Sequence, residues 1–234
     1  MAEKNFPNKI KLGDFTTAVG VAVYPHLVKP DTKWKAEGEF RTKIKYTDAK
    51  VIEATREKLT GFLDEAFEKY KELLVEHGKK AKVKSLSKAD LPLKPEVDEE
   101  GEETGAYLLN TKRTASGVSK KTGEKWKAKI VIADSKGKPV PTKGLSIWSG
   151  TELRAQTRVM GWYNAKDNEV GVTLEIAGVQ IKKLVQGGDG NVEFEEMEDE
   201  DGWTADSLAS SDDDTDGDAA DETDDEASDE AEDF

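Results

Sequence analysis

The chain has 234 residues, with 35 Lys and Arg against 49 Asp and Glu, a net charge of −14, and no cysteine. The missing cysteine excludes a disulfide framework, a thiolate metal site and a thiol nucleophile, and two histidines far apart in sequence, His26 and His77, do not suggest zinc. No apolar run approaches the roughly 18 residues of a membrane helix, and Met1–Asn5 open no signal peptide, so the sequence reads as a soluble cytoplasmic protein with one substantial domain.

Residues 1–15 read as irregular. Ala18 to Val28 reads as a strand, with Val19, Val21, Val23 and Leu27 on one face and Ala22, Tyr24 and His26 on the other. Lys29-Pro30-Asp31 ends it, because proline cannot donate to a sheet ladder. A basic loop follows with Trp34 between Lys33 and Lys35, and Glu39 to Tyr46 then alternates Phe40, Thr42, Ile44 and Tyr46 against Arg41, Lys43 and Lys45. Asp48 is placed to cap a helix whose apolar residues, Leu59, Phe62, Leu63, Ala66, Phe67, Tyr70, Leu73 and Leu74, keep helical spacing. Gly78 stops it.

Lys79 to Gly105 reads as a long loop, first basic and then acidic. Strands resume at Tyr107–Thr114, and Lys125–Ala133 alternates Lys125, Lys127 and Lys129 with Trp126, Ala128 and Ile130. Thr151–Met160 alternates Leu153, Ala155, Thr157 and Val159 with Arg154, Gln156 and Arg158, and a loop then holds Trp162 and Tyr163. In Val170–Val185 the pair Ala177-Gly178 has the character of a bulge. Strands and frequent turns, with one α-helix inserted between strands 2 and 3, predict a mainly β fold, a small and mostly antiparallel barrel or sandwich; among such folds the OB-fold barrel is the one built to bind oligonucleotides.

Charge divides the chain in two. Of the acidic residues, 23 lie in 189–234 together with no Lys or Arg, so the part before them carries 26 acids against 35 bases, a net +9. The expected organisation is a domain over 1–188 followed by a disordered acidic tail over 189–234. A basic body joined to an acidic segment suggests a polyanion binder with its own competitor, and a terminal aromatic, Phe234, suits a partner pocket better than a solvating tail.

Arg154, Arg158 and Trp162 share a strand face if the strand continues, and guanidinium groups with an indole suit phosphates and stacked bases. The alternative is a core tryptophan beside solvated arginines. Lys125, Lys127 and Lys129, with Lys112 and Arg113 on a neighbouring strand, are a phosphate-binding face or a lysine-guarded edge. Tyr24 and Trp34 carry the same two readings. In the tail, Asp212, Asp214, Asp216 and Gly217 imitate a calcium loop, but its twelfth position falls on Thr223 where a Glu is required. No catalytic motif is present, so neither enzyme activity nor a cofactor is expected.

Several stretches together resemble a known family. They are Tyr24 with His26-Leu27-Val28-Lys29-Pro30-Asp31, Pro92-Leu93-Lys94-Pro95, Ser119–Thr122, Val131–Lys138, Leu153–Leu184 and the Asp229–Phe234 ending. In these the chain is similar to phage-encoded single-stranded DNA-binding proteins of the T-odd coliphage replication type. The resemblance puts Trp162 on a DNA-stacking tyrosine of that family. The family's second stacking aromatic falls near Asn164–Ala165, with Tyr163 as its neighbouring substitute.

It implies an OB fold that coats single-stranded DNA in replication, recombination and repair, in the cytoplasm of an infected bacterial host. It also implies a tail that occupies the groove when DNA is absent and docks the phage polymerase and helicase/primase. A homodimer through tail exchange is a further expectation. The residues assigned to DNA are Tyr24, Lys29, Trp34, Arg41, Lys112, Arg113, Lys127, Lys129, Arg154, Arg158, Trp162 and Tyr163. Those assigned to partner proteins are Asp229, Glu230, Glu232, Asp233 and Phe234. The rival reading is an acidic-tailed chaperone or scaffold that binds basic proteins.

Overall fold

A computed structural model describes residues 6–119 and 122–186. The acidic segment, its Phe-terminated ending, the Gly187-Gly188 boundary and the Lys120-Lys121 turn lie outside the described residues. In chain order the elements are β1 (Lys9–Thr16), β2 (Gly20–Asp31), β3 (Glu39–Tyr46), α1 (Ala49–Glu76), α2 (Lys80–Val83), β4 (Ser87–Lys88) and β5 (Leu93–Val97). They continue with β6 (Glu103–Thr114), β7 (Ser116–Val118), β8 (Lys125–Lys127), β9 (Val131–Ala133), β10 (Glu152–Asn164) and β11 (Glu169–Lys183).

The fold is mainly β, and its principal sheet closes on itself. β10, β2, β3, β6 and β11 pair in succession, and the β10–β11 pairing completes the ring. All of these pairings are antiparallel except β6 with β11. β1 adds to the outer side of β10, and the short strands β4, β5 and β9 attach along β11 and β6.

Alternation decides what fills the ring. Phe40, Thr42, Ile44 and Tyr46 of β3, Leu153, Ala155, Thr157 and Val159 of β10, and Val170, Val172, Leu174 and Ile176 of β11 are all buried, as their spacing predicts. The bulge at Ala177-Gly178 is present: Gln156 faces Gly178 while Thr157 faces Ile176, leaving Ala177 unpaired. That extra residue moves the inward set to Val179 and Ile181, both buried.

α1 runs from its Asp48 cap, where the carboxylate accepts from the Lys50 amide at 2.8 Å, to Gly78 at φ 71°. Leu59, Leu63 and Leu74 of its stripe are buried, each contributing about 1.5–3 kcal/mol over exposure. The Tyr70 hydroxyl donates to the Gly161 carbonyl at 3.2 Å, tying the helix to β10.

Four expectations need correction. Residues 1–15 are not irregular. β1 turns Ile10, Leu12 and Phe15 toward the core, and a register shift between Lys11 and Gly13 breaks the alternation that would have announced it. β2 runs through Pro30 to Asp31, past the expected stop, and its register slips between Val23 and His26, so Ala22 and Leu27 are both buried while Val21, and Val19 just before the strand, are exposed. The faces assigned to this strand are therefore reversed before the bulge.

Lys79–Gly105 is not a loop: it holds α2, β4, β5 and the start of β6. Its prolines and charges hide β5, which pairs only with β6 and so tolerates Pro95 on its free side. Finally, Lys125–Ala133 is not one strand. β8 pairs with β7 in a separate hairpin, and β9 pairs with β11.

Candidate nucleic-acid interface

A groove of about 790 Å³ is walled by residues of β1, β2, β3, β6, β10 and β11 and by the Asp90–Lys94 stretch that leads into β5. Five cations, Lys9, Arg41, Lys43, Lys94 and Lys112, line it against two acids, Glu39 and Asp90. Alternation puts Arg41 and Lys43 on the outward face of β3, opposite the core-facing Phe40, Thr42 and Ile44. Register sets Arg41 beside Lys112 and Lys43 beside Asn110 on β6.

Several of these charges are already engaged. Arg41 pairs with Asp31 at 2.6 Å and Lys9 with Glu175 at 2.9 Å, and Lys94 pairs with Asp90. Asp31 is held below the usual carboxylate range by the Lys33 amide that donates to it, and by Arg41 among its charged neighbours. Lys43 and Lys112 are exposed and join no ion pair among the described residues, so they are the groove cations with most to gain from a phosphate.

Two aromatic rings border the groove, Tyr24 and Trp162. β10 continues through Asn164, so Trp162 stands on a strand and not in the expected loop, flanked by Lys9 on β1 and Gly171 on β11. A Cβ on Gly171 would collide with the indole. The bare backbone there is what seats the ring against the sheet. Tyr24 sits at the β2 bulge, 72 % exposed, with φ at 48° and its amide donating to Ser149 Oγ at 3.0 Å.

Arg154, Gln156, Arg158 and Trp162 do share the outward face of β10, as the spacing predicts. Of these only Trp162 lines the groove. Arg158 lies roughly 13 Å along the strand and Arg154 roughly 26 Å. Arg158 is flanked in register by Asp14 and Glu175, while Arg154 donates to Gln180 at 2.8 Å.

Tyr163 faces the other way. It is 7 % exposed, stacks on Tyr70 with ring centroids 5.8 Å apart, and donates its hydroxyl to Asn168 at 2.8 Å. Its place next to Trp162 on an unbroken strand forces that outcome, and as a stacking substitute it is corrected to a core residue.

Lys112 and Arg113, adjacent on β6, likewise separate. Lys112 enters the groove, while Arg113 donates to the carbonyls of Lys129 and Ile176, both at 3.3 Å. Arg113 is therefore a brace. Lys127 and Lys129 are exposed on and beside the β7–β8 hairpin, in which β8 pairs with β7 and not with the Lys112–Arg113 stretch of β6. Trp34 is 76 % exposed, with Lys33 Nζ 5.3 Å from its ring centre, in the loop before β3. The hairpin adjoins that loop, because Ser116 donates to the Glu37 carbonyl at 2.8 Å. Lys29, on the far part of β2, is exposed outside the groove.

Sequence reasoning missed Lys9, Lys43 and Lys94. Lys43 was within reach, since it shares a face with Arg41. Lys9 lay in a segment read as irregular, and Lys94 between two prolines read as loop.

No family model matches the chain, and no curated protein matches it. Among solved structures it is similar to gp2.5, a single-stranded DNA-binding protein encoded by bacteriophage T7, with 22 % identity and a TM-score of 0.59. That match covers 82 % of this chain and 98 % of the other. The single-stranded DNA-binding protein from bacteriophage Enc34, in complex with single-stranded DNA, matches at 14 % identity with a TM-score of 0.50, over 79 % of this chain and 96 % of the other. These likenesses show a shared fold.

Proposed function

We propose that this protein binds single-stranded DNA without sequence specificity, holding it in the groove between β3, β6 and Trp162. The observation that carries the reading is the meeting of two exposed lysines that join no ion pair among the described residues, Lys43 and Lys112, with two bordering rings, Tyr24 and Trp162. Cations that track the backbone, with aromatics that accept any base, bind single strands irrespective of sequence. None of these contacts needs a base edge, so none reads sequence. The fold shared with phage proteins whose names state single-stranded DNA binding supports the same conclusion.

On this reading the ring of five strands is an OB-fold barrel, with α1 inserted between the ring strands β3 and β6 and a binding domain over 1–188. The protein coats and protects DNA in phage replication, recombination and repair inside the bacterial host. The acidic segment 189–234 competes for the groove, recruits replication proteins such as polymerase and helicase/primase through Asp229–Phe234, and can bridge two copies. Support for the competitor role is the charge division of the chain, +9 before the segment against −23 within it.

The test is a fluorescence titration of the full chain with oligo-dT and, separately, with polylysine. Saturable, salt-sensitive binding to oligo-dT is the expected result. Binding to polylysine alone would instead favour a chaperone or scaffold for basic proteins.

A further inference from the structure

We propose a second nucleotide subsite, resting on the function just given, in the cavity between Trp148 and the Pro25–Lys29 stretch of β2: one base stacks on the Trp148 indole and its phosphate meets Lys29. The cavity measures about 190 Å³. That is below the roughly 300 Å³ at which pockets for drug-sized ligands begin, so it suits a single base and not a larger molecule. Leu27, 2 % exposed, and Ile147, 8 % exposed, are its apolar lining from the core side, while His26 and Lys29 supply its polar edge.

Trp148 is 55 % exposed, yet the backbone that carries it is fixed on both sides. Its amide donates to the Val185 carbonyl at 3.0 Å and its carbonyl accepts from the Thr151 amide at 3.2 Å. Gly150 then donates to the Ala22 carbonyl at 3.0 Å, so the segment is stitched to β2. A large apolar ring exposed to water on a hydrogen-bonded backbone offers a stacking face to a flat partner, and the backbone that carries it is already ordered before stacking.

Continuity with the main groove identifies the occupant. Val23 and Tyr24 line the groove and the very next residue, Pro25, begins the wall of this cavity. Tyr24 stands between them in a left-handed backbone conformation that L residues rarely adopt, held by its bond to Ser149, the neighbour of Trp148. Trp162, Tyr24 and Trp148 thus follow one another from the groove into the cavity. A strand leaving the lysines of β3 and β6 meets Lys29 at the far end. Lys29 forms no ion pair among the described residues, and this location gives a role to a cation that the main groove leaves aside.

The experiment measures affinity of the full chain, Trp148→Ala, Trp148→Phe and Trp162→Ala for a ladder of oligo-dT lengths. Loss of one stacked base costs about five- to a hundredfold in affinity. For Trp148→Ala the loss is expected only with oligomers long enough to reach past Tyr24, and Trp148→Phe restores most of it. Trp162→Ala weakens binding at every length. Lys29→Ala lowers the slope of log affinity against log salt by about 0.7 with long oligomers.

A Trp148→Ala protein that matches the wild type at all lengths, while Trp162→Ala is weakened, overturns the subsite and leaves the proposed function standing. So does an equal loss at every length, which marks Trp148 as a support for the fold. Absence of oligo-dT binding by the wild type would instead remove the function itself.

Discussion

Replacing Trp162 with alanine removes the ring that meets the groove cations without touching a charge. Its indole lies over Gly171 on β11 and beside Lys9 on β1, on the outward face of a strand whose inward residues stay in place. The fold should therefore survive, at a cost below the 3–5 kcal/mol of a fully buried Trp→Ala change. One stacked base is worth about 1–3 kcal/mol, so affinity for oligo-dT should fall between about fivefold and a hundredfold.

No phosphate contact is lost, so the slope of log affinity against log salt should stay as it was. Gly171→Ala makes an independent check: it keeps the indole but drives it from its seat, and should weaken binding in the same direction. The assay is tryptophan fluorescence titration at two salt concentrations, with circular dichroism to establish folding. A folded Trp162→Ala protein with wild-type affinity and undiminished quenching would refute the stacking role and return Trp162 to a packing residue.

Changing Lys43 and Lys112 together to alanine should do the converse, lowering the salt slope by about 1.4 for two phosphates while leaving tryptophan quenching at saturation intact; an unchanged slope would place the phosphates elsewhere. Burial pushes the Tyr46 phenol up to about 12 from its usual 10. The folded state thus holds this proton more tightly, and the stability linked to it, about 3 kcal/mol, is intact below pH 10 and lost as pH rises toward 12. Denaturation midpoints should fall steeply across that window, and Tyr46→Phe, which gives up a 3.2 Å bond to the Ala18 carbonyl, should be less stable at pH 8 yet lose less on alkalisation. Removing 189–234 should tighten oligo-dT binding, most at low salt where attraction between unlike charges is least screened; equal affinities at low salt would remove the competitor role.

Much of the fold follows from periodicity wherever alternation runs unbroken. β3, β10 and β11 have the buried sets their spacing predicts, and α1 has its cap, stripe and stop. Two of the misread elements, β1 and β2, share a physical cause: extra residues at register shifts. In β1 and β2 a bulge shifts the parity of inward positions, so Phe15 and Leu27 fall out of phase with Leu12 and Ala22 and no period survives. β5 escaped because an edge strand tolerates proline, and the 125–133 stretch looked continuous because alternation cannot reveal that a chain changes its pairing partner.

At the site, the shared face of Arg154, Arg158 and Trp162 was legible from a period of two. The same rule, applied once Trp162 is known to lie on a strand, excludes Tyr163 from that face and separates Lys112 from Arg113. Which cations converge was not legible. The closeness of Lys9, Lys43, Lys94 and Lys112 depends on how β3 and β6 of the ring meet β1 and β5 attached to it, and that is a property of pairing rather than of local sequence.

The central claim, that bases lie against the rings bordering the β3–β6–β10 groove, is tested most directly by photocrosslinking the full chain to an oligomer of iodinated deoxyuridine and mapping the attachment by mass spectrometry. Attachment at Trp162 and Tyr24, suppressed by excess unlabelled oligo-dT, is the predicted result. Attachment confined to the surface of α1, or crosslinks spread without competition over unrelated faces, would contradict it.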